Sequence, residues 1–479
     1  MQNILFTILF IYSIIVLVYF LVLNSTYLVL LVLSTMEIIY QKRTPNFKIC
    51  EGDACELAPS ISILIPAYNE KETIIESIES LRKLDYPQLE IIIVNDGSTD
   101  KTLAALKEEL KLIKTPRDVK DEISHQPVKS VYKSVLDERI IVIDKKNGGK
   151  ADALNAGLDF ARTDLFIAVD ADSLIEKGGL QSLVQPYLEK DCEVVGIGGI
   201  VRVANNCRIE KGEVVNVSLP KKLLPIIQVM EYLRAFLFGR AGWSKINALP
   251  IISGAFGLFE TERVIEIGGY RTDTVGEDAD LILRLHKLMR DKNIDYEISF
   301  KPDPVCWTQV PESLEILGRQ RNRWERGLIE ALTYEPKMIG NPKYGLLGIF
   351  SLPYFFFFEM LGPVVEFTGP FIILISYLMG WLNLNFALLF LGIAVFYGLL
   401  LSIWSLLLEE FTSKRYEDPL DRIKLIGAAI LENFGYRQLH SYWRLKGIIG
   451  FLRKEKSWGE MKRESFTRPE KIEPPNKND

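Results

Sequence analysis

Asp170-Ala171-Asp172 closes an unbroken apolar run, Leu165 to Val169. Successive residues of an extended chain point to opposite sides, so the two carboxylates share one side. They follow the carboxyl end of a predicted strand, where open α/β sheets bind their ligands. Two hard oxygen groups suit Mg²⁺ or Mn²⁺, which in turn holds a diphosphate. A solvated turn also favours aspartate, so the pair takes its meaning from its neighbours. Asp96, in Val94-Asn95-Asp96-Gly97-Ser98-Thr99-Asp100, is a second strand-end carboxylate: it could accept hydrogen bonds from a base or ribose, or cap a turn. In Asn147-Gly148-Gly149-Lys150, backbone amides freed by glycine beside a lysine suit a phosphate, or form a plain turn.

These residues need a frame. Ile61 to Ile65, Glu90 to Val94, Arg139 to Ile143 and Leu165 to Val169 read as strands. Lys71 to Leu84 and a segment through Ala151, Leu154, Ala156 and Leu158 have helical spacing. Strand, acid-bearing loop and helix in repetition predict an α/β domain with right-handed crossovers. Lys111 to Glu138 is charged and poorly periodic and is expected as a surface insertion, and Asn205 to Pro220 as a hairpin or loop. Pro225 to Arg240, with Gln228, Glu231 and Arg234 on one side, fits an interfacial helix or an amphipathic core helix equally.

The chain has 479 residues and a net charge of -5, but apolar residues crowd its two ends. Ile4 to Leu23 is uncharged and long enough to cross a bilayer. Tyr27 to Tyr40 is apolar again, giving either one long helix or a tight hairpin, and Gln41-Lys42-Arg43 adds a cytosolic-type positive flank. Leu346 to Trp381 and Phe386 to Leu408 are further apolar stretches. Glu409 to Pro419 is expected in the cytosol, Ile423 to Phe434 along the membrane or dipping into it, and Arg437 to Arg468 as a basic cytosolic tail. Glu359-Met-Leu-Gly362-Pro363 recurs seven residues on as Glu366-Phe-Thr-Gly369-Pro370, which predicts two kinks and a stripe of carboxylates with freed carbonyls. The stripe either lines a path for a hydroxyl-rich chain or pairs with basic groups. The five cysteines show no zinc spacing and read as reduced thiols, Cys50 and Cys55 leaving a weak metal or redox pair open.

Ile65-Pro66-Ala67-Tyr68-Asn69-Glu70, the Asp96 segment, Asn147 to Gly157 and Val169 to Ser173 resemble successive motifs of family 2 glycosyltransferases. So do Ser253 to Gly257, Gly276-Glu277-Asp278-Ala279-Asp280 and Gln320-Arg321-Asn322-Arg323-Trp324, in the family's order. The nearest subgroup is the processive membrane synthases of cellulose, hyaluronan, chitin and poly-N-acetylglucosamine. The resemblance implies a GT-A fold over residues 60–335, a UDP-sugar donor and Mg²⁺ or Mn²⁺. It implies that Asp96 holds the base, with Pro66, Tyr68 and Glu70 also at the substrate. Lys150 would approach the uracil or phosphates, Asp170 and Asp172 would bind nucleotide and metal, and Asp278, with Glu277 beside it, would be the general base. Gln320, Arg323 and Trp324 match the family's Q-x-x-R-W; the tryptophan ring suits a sugar face and the guanidinium a diphosphate oxygen. Glu277 and Asp278 also fit an acidic helix N-terminus, since Asp280 and Arg284 lie at helical spacing.

The expected organisation is a membrane segment (1–43), a linker (44–59), the catalytic domain, interfacial and membrane helices (336–435) and the tail (436–479). The expected function is inverting transfer to a β-linked polysaccharide at the cell membrane, multi-pass with a cytosolic catalytic domain and coupled to export. The alternatives are a transferase that puts one sugar on a lipid acceptor and a non-catalytic scaffold or channel subunit. Membrane lipid and an accessory or identical membrane subunit are the expected partners. No basic patch interleaved with aromatics favours nucleic acid.

Overall fold

The computed structural model describes residues 2–43, 58–381, 384–416 and 418–455. Cys50 and Cys55, most of the linker and the chain beyond 455 lie outside the described residues, and Cys192, Cys207 and Cys306 are free thiols.

The strands are β1 (Ile61–Ala67), β2 (Leu89–Asp96), β3 (Leu112–Lys114), β4 (Val128–Ser134), β5 (Ile140–Lys145), β6 (Leu165–Val169), β7 (Ser173–Ile175), β8 (Glu193–Val203), β9 (Arg208–Glu210), β10 (Glu213–Asn216), β11 (Phe256–Glu260) and β12 (Tyr296–Thr308). Ten of them form one mixed sheet in the order β3-β4-β5-β2-β1-β6-β11-β8-β12-β7. Its centre, β5-β2-β1-β6, is parallel. These strands are apolar almost throughout because helices cover both faces. Parallel pairing brings the ends of β1, β2 and β6 to one edge, and with them Glu70, Asp96 and Asp170.

The expectation of a surface insertion at residues 111–138 is corrected. β3 and β4 extend the sheet antiparallel from β5, with Val131 and Ser134 of β4 buried and a register shift between Val128 and Ser130. The predicted hairpin between Asn205 and Pro220 is formed by β9 and β10.

The helices are α1 (Gln2–Arg43), α2 (Ile74–Arg82), α3 (Thr102–Glu109), α4 (Lys150–Phe160), α5 (Gly179–Glu189), α6 (Leu223–Leu233), α7 (Ala241–Lys245), α8 (Thr261–Glu266), α9 (Glu277–Asp291), α10 (Leu314–Tyr334), α11 (Leu352–Tyr354), α12 (Gly362–Leu378), α13 (Leu384–Thr412), α14 (Pro419–Leu431) and α15 (Arg437–Leu452). α6 continues into α7 through a π-wound segment, Arg234–Arg240, and a second, Phe355–Met360, follows α11.

α1 is one unbroken helix. Val16, Tyr19, Leu23, Thr26, Leu30, Ser34 and Glu37 form its buried stripe at spacings of three and four, while Ile14, Leu17, Leu21, Leu28 and Val32 are exposed. The stripe carries α1 onto the α/β domain, where Gln41 donates to Phe300 O (2.9 Å) and Glu37 pairs with Lys245 (3.1 Å). Two helical stretches, Phe6–Arg43 and Val395–Thr412, are long and apolar enough to cross a membrane. The pair Leu347–Met360 and Gly362–Leu378, bent by 44°, would make a third.

That bend corrects the expected double kink. The chain breaks once, before Gly362, and Pro370 lies within the continuous α12. The Glu359 carbonyl, which Pro363 cannot engage, accepts from Arg444 Nη2 at 2.6 Å. Arg444 lies on α15, so the segment expected as a basic cytosolic tail contains a packed helix. Gly447 of α15 rests on Glu325 of α10, and Trp443 covers Gly318.

Buried His286 fastens α9 to the loop before β11. Its Nε2 lies 3.0 Å from Leu249 O and its Nδ1 2.6 Å from the Tyr296 hydroxyl, an arrangement that suits the neutral ring. Burial pushes its pKa down to about 4. A depressed pKa means that the unfolded chain binds the proton first, so this contribution is complete above pH 6.5 and is lost as pH falls through about 4. The loss should approach about 3 kcal/mol. His286→Gln, which does not titrate, should show a smaller fall in melting temperature between pH 7 and pH 4.5 than the wild type; equal falls would exclude this role.

Candidate functional site

Asp170 follows β6, whose Val169 pairs with Phe256 at the start of β11. This register sets the Ser253-Gly254-Ala255 turn beside the carboxylate. Lys150, the first residue of α4, places Nζ 2.5 Å from Asp170 Oδ1, 3.3 Å from Gly254 O and 3.8 Å from Glu277 Oε1. Burial opposes the lysine charge, but Asp170, Glu277 and Asp278 outweigh it and hold its pKa above the ordinary value. Gly254 N donates to Asp278 Oδ2 at 3.3 Å. One turn therefore touches both Lys150 and Asp278.

Glu277 and Asp278 open α9, as the helix-terminus reading expects, and both also line a cavity. Asp280 serves the helix, pairing with Arg284 (2.7 Å) and Arg271 (3.4 Å). Glu277 is buried, which pushes its carboxyl pKa up against the pull of Lys150. The α9 terminus meets α10 at Gly276 and Gly327. A Cβ on Gly276 would lie 2.5 Å from Gly327 O, so this contact admits no side chain. Glu330 of α10 braces the same turn, accepting from Thr274 Oγ1 (2.7 Å) and Val275 N (2.8 Å).

α10 is capped by Ser313 and turns Gln320, Arg323, Trp324, Gly327 and Leu328 toward one cavity. The spacing is that of a single helix face. Trp324 is 43 % exposed and has Arg321 stacked over its ring at 4.3 Å, while Arg321 itself pairs with Glu231 of α6 at 2.6 Å. The cavity has a volume of about 1280 Å³. Lys150, Asp170 and Asp172 line one part, Asp278 and Glu277 another, and Glu359, His440 and Arg444 the part nearest the apolar helices.

The structure thus brings together Lys150, Asp170, Asp172, Glu277, Asp278, Gln320, Arg323 and Trp324. Pro66, Tyr68, Glu70 and Asp96 share the sheet edge without lining this cavity. Buried Asp96 is saturated from within: Oδ1 accepts from Lys145 Nζ (2.5 Å) and Gly148 N (3.0 Å), and Oδ2 from Asn147 Nδ2 (3.2 Å) and Gly149 N (2.8 Å). The amides expected to be free for phosphate are therefore engaged by Asp96. Lys145, fully buried, also pairs with Asp152 at 2.5 Å. Asp96 and Lys145 fasten the loop that delivers Lys150. Glu70 accepts from Thr73 Oγ1 at 3.0 Å, and Tyr68 is exposed.

Tyr232, Arg240, His440 and Arg444 line the cavity unforeseen from the sequence, and Glu231 lines it from the segment that the sequence offered as an interfacial or core helix. A visible sign existed for Arg240: no acid stands three or four residues from it. The carboxylate stripe divides. Glu359 reaches the cavity, whereas Glu366 accepts from Ser441 Oγ (2.8 Å) and Tyr19 OH (3.3 Å) outside it.

Residues 62–223 match the model of glycosyl transferase family 2, and residues 166–401 that of glycosyl transferase family group 2. A poly-beta-1,6-N-acetyl-D-glucosamine synthase of Staphylococcus epidermidis is 30% identical over 272 residues, 57% of this chain and 55% of that protein. The synthase of the same name from Staphylococcus aureus (strain COL) is 30% identical over 302 residues, 62% of this chain and 60% of that protein. The chain thus spans between 55% and 60% of the length of these curated relatives. Among solved structures, the mannosyltransferase PcManGT from Pyrobaculum calidifontis, in complex with GDP-Man and Mn²⁺, superposes with a TM-score of 0.57 at 17% identity. The match covers 92% of this chain and 100% of that one, a likeness of fold.

Proposed function

We propose, from the premise that this chain carries a family 2 glycosyltransferase domain, that it transfers a sugar from a UDP-sugar to a growing β-linked polysaccharide at a membrane. UDP-N-acetylglucosamine is the first donor to consider, given the names of the relatives. The carrying observation is the single cavity that joins Asp170 and Asp172 to Asp278 and Trp324. At about 1280 Å³ it exceeds the usual small-molecule pocket and has room for donor and acceptor together.

Asp278 accepts the proton of an acceptor hydroxyl while that oxygen attacks the anomeric carbon. The bond from that carbon to the diphosphate breaks on the opposite face, and the diphosphate leaves with the electron pair. The displacement inverts the centre, so an α-linked donor gives a β-linkage. Lys150 and Arg323 offer positive charge to the departing group, and Trp324 offers a ring face to a sugar.

Asp170 and Asp172 fit a divalent metal of a particular kind. Among the described residues no group of three or more His, Cys, Asp or Glu forms a complete ligand set. Mg²⁺ and similar ions at phosphate sites use one or two carboxylates and take the rest from substrate and water. Asp170 Oδ1 accepts from Lys150 Nζ at 2.5 Å, so a metal at this carboxylate would share it with the lysine. A metal held there with the diphosphate would neutralise charge on the leaving group.

The test is donor turnover in membranes or detergent with UDP-Glc, UDP-GlcNAc, UDP-GlcA and UDP-Gal, with Mg²⁺ or Mn²⁺, and with product size read by gel filtration. Long polymer from one donor is the expected result. A single labelled lipid would replace the polymerase reading with the lipid-acceptor one, and silence with every donor would refute both.

A further inference from the structure

The arginines of the cavity are mostly neutralised by glutamate. Arg321 pairs with Glu231, Arg444 with Glu325 and Glu359, and Arg208 with Glu210. Arg240 differs. No carboxylate lies within ion-pair distance of it among the described residues, and its buried Nη1 has no hydrogen-bond partner. Its guanidinium lies 3.9 Å from the centre of the Phe236 ring, a stack that fixes the plane of its donors without satisfying them. Burial pushes its pKa down to about 10, so it remains charged at neutral pH. Asp278 acts on it electrostatically, and Arg240 lines the same cavity as Asp170, Asp172 and Asp278.

An uncompensated charge with a donor nitrogen held out of water is destabilising, and the fold could have neutralised it as it does the others. The turn Arg234–Arg240 that carries it is π-wound, as are three other segments among the described residues, and such winding is frequent at functional sites. A planar guanidinium with open donors matches the oxygens of phosphate.

We propose that Arg240 is an oxyanion subsite that binds a phosphate group of a substrate, either the diphosphate of the donor or a phosphate on a lipid acceptor. The proposal rests on the glycosyl-transfer reading for its substrates, and its test does not require turnover.

The experiment measures binding of UDP with Mn²⁺, of uridine, and of farnesyl phosphate to the full chain in detergent, for wild type, Arg240→Gln and Arg240→Lys. Loss of one charge-assisted contact should weaken binding by about ten- to a hundredfold. Weaker UDP with unchanged uridine and farnesyl phosphate assigns the subsite to the donor. Weaker farnesyl phosphate with unchanged UDP assigns it to an anionic lipid acceptor, and loss of both places it where the two share space. Arg240→Lys should recover part of the affinity. Removing an uncompensated charge should leave the ligand-free melting temperature unchanged or higher in Arg240→Gln. A fall in melting temperature with unchanged affinities would make Arg240 a structural cation and overturn the proposal, as would wild-type affinities in both variants or a wild type that binds neither phosphate. Turnover by the wild type judges the glycosyl-transfer reading separately, so an active enzyme with unaltered binding in the variants would remove Arg240 alone.

Discussion

Asp278→Asn is expected to lower turnover by about 10²- to 10⁴-fold, the range for losing a positioned general base. Asparagine keeps the size of aspartate, and its amide oxygen still accepts from Gly254 N, which Asp278 Oδ2 contacts at 3.3 Å. What it loses is the ability to take a proton. Nucleotide binding should change little, because Lys150 keeps its contacts to Asp170 Oδ1 and Gly254 O. Measuring UDP affinity beside product formation separates the two effects. A variant that retains more than about a tenth of wild-type turnover would remove Asp278 from the base position.

The second large effect concerns stability. Arg202 on β8 and Glu409 near the end of α13 form a two-pronged pair of 2.9 and 2.5 Å, both residues almost wholly buried. Ser413 Oγ accepts from Arg202 at 3.1 Å, and Arg415 N donates to Glu409 at 3.2 Å. Arg415 then reaches Glu176, which also accepts from Trp307 Nε1. Removing one partner strands a buried charge, so Glu409→Ala should cost about 3–5 kcal/mol. Replacing both, as Arg202→Met with Glu409→Leu, should recover most of that loss because no lone charge remains. Thermal unfolding in detergent reads both variants. If the single variant melts with the wild type, or the double variant falls as far as the single, the pair does not join the sheet to α13 in this way.

Much of this arrangement is legible in the sequence. Leu165 to Val169 announces its strand because a strand covered on both faces is apolar throughout, and the acids beyond it are forced to the sheet edge. β4 hides because only Val131 and Ser134 of its seven residues are buried, and its lysines make the segment resemble a loop. The chemical type of Asp96 is readable, but its four internal donors depend on how β2 and β5 align, which sets Lys145 beside it. α15 looks like a tail by composition. Its reason to fold is the far side of α10, where glycines at 318 and 447 permit close packing, and that partner lies more than a hundred residues away. Glu409 reads as the first residue of a polar loop until its partner on β8 is known. Motifs tied to local geometry were thus visible, and residues whose role depends on a distant partner were not.

The unbroken α1 has one more consequence. At about 1.5 Å per residue its 42 residues extend about 63 Å, roughly twice the hydrocarbon thickness of a bilayer. If one half lies in lipid, the other half is a rigid post clamped to the α/β domain through Glu37 and Gln41. The domain then stands at a height set by the length of a helix with no hinge. A thinner or thicker bilayer cannot be absorbed by flexing between anchor and enzyme; it must tilt the whole molecule, or the lipid must deform around it.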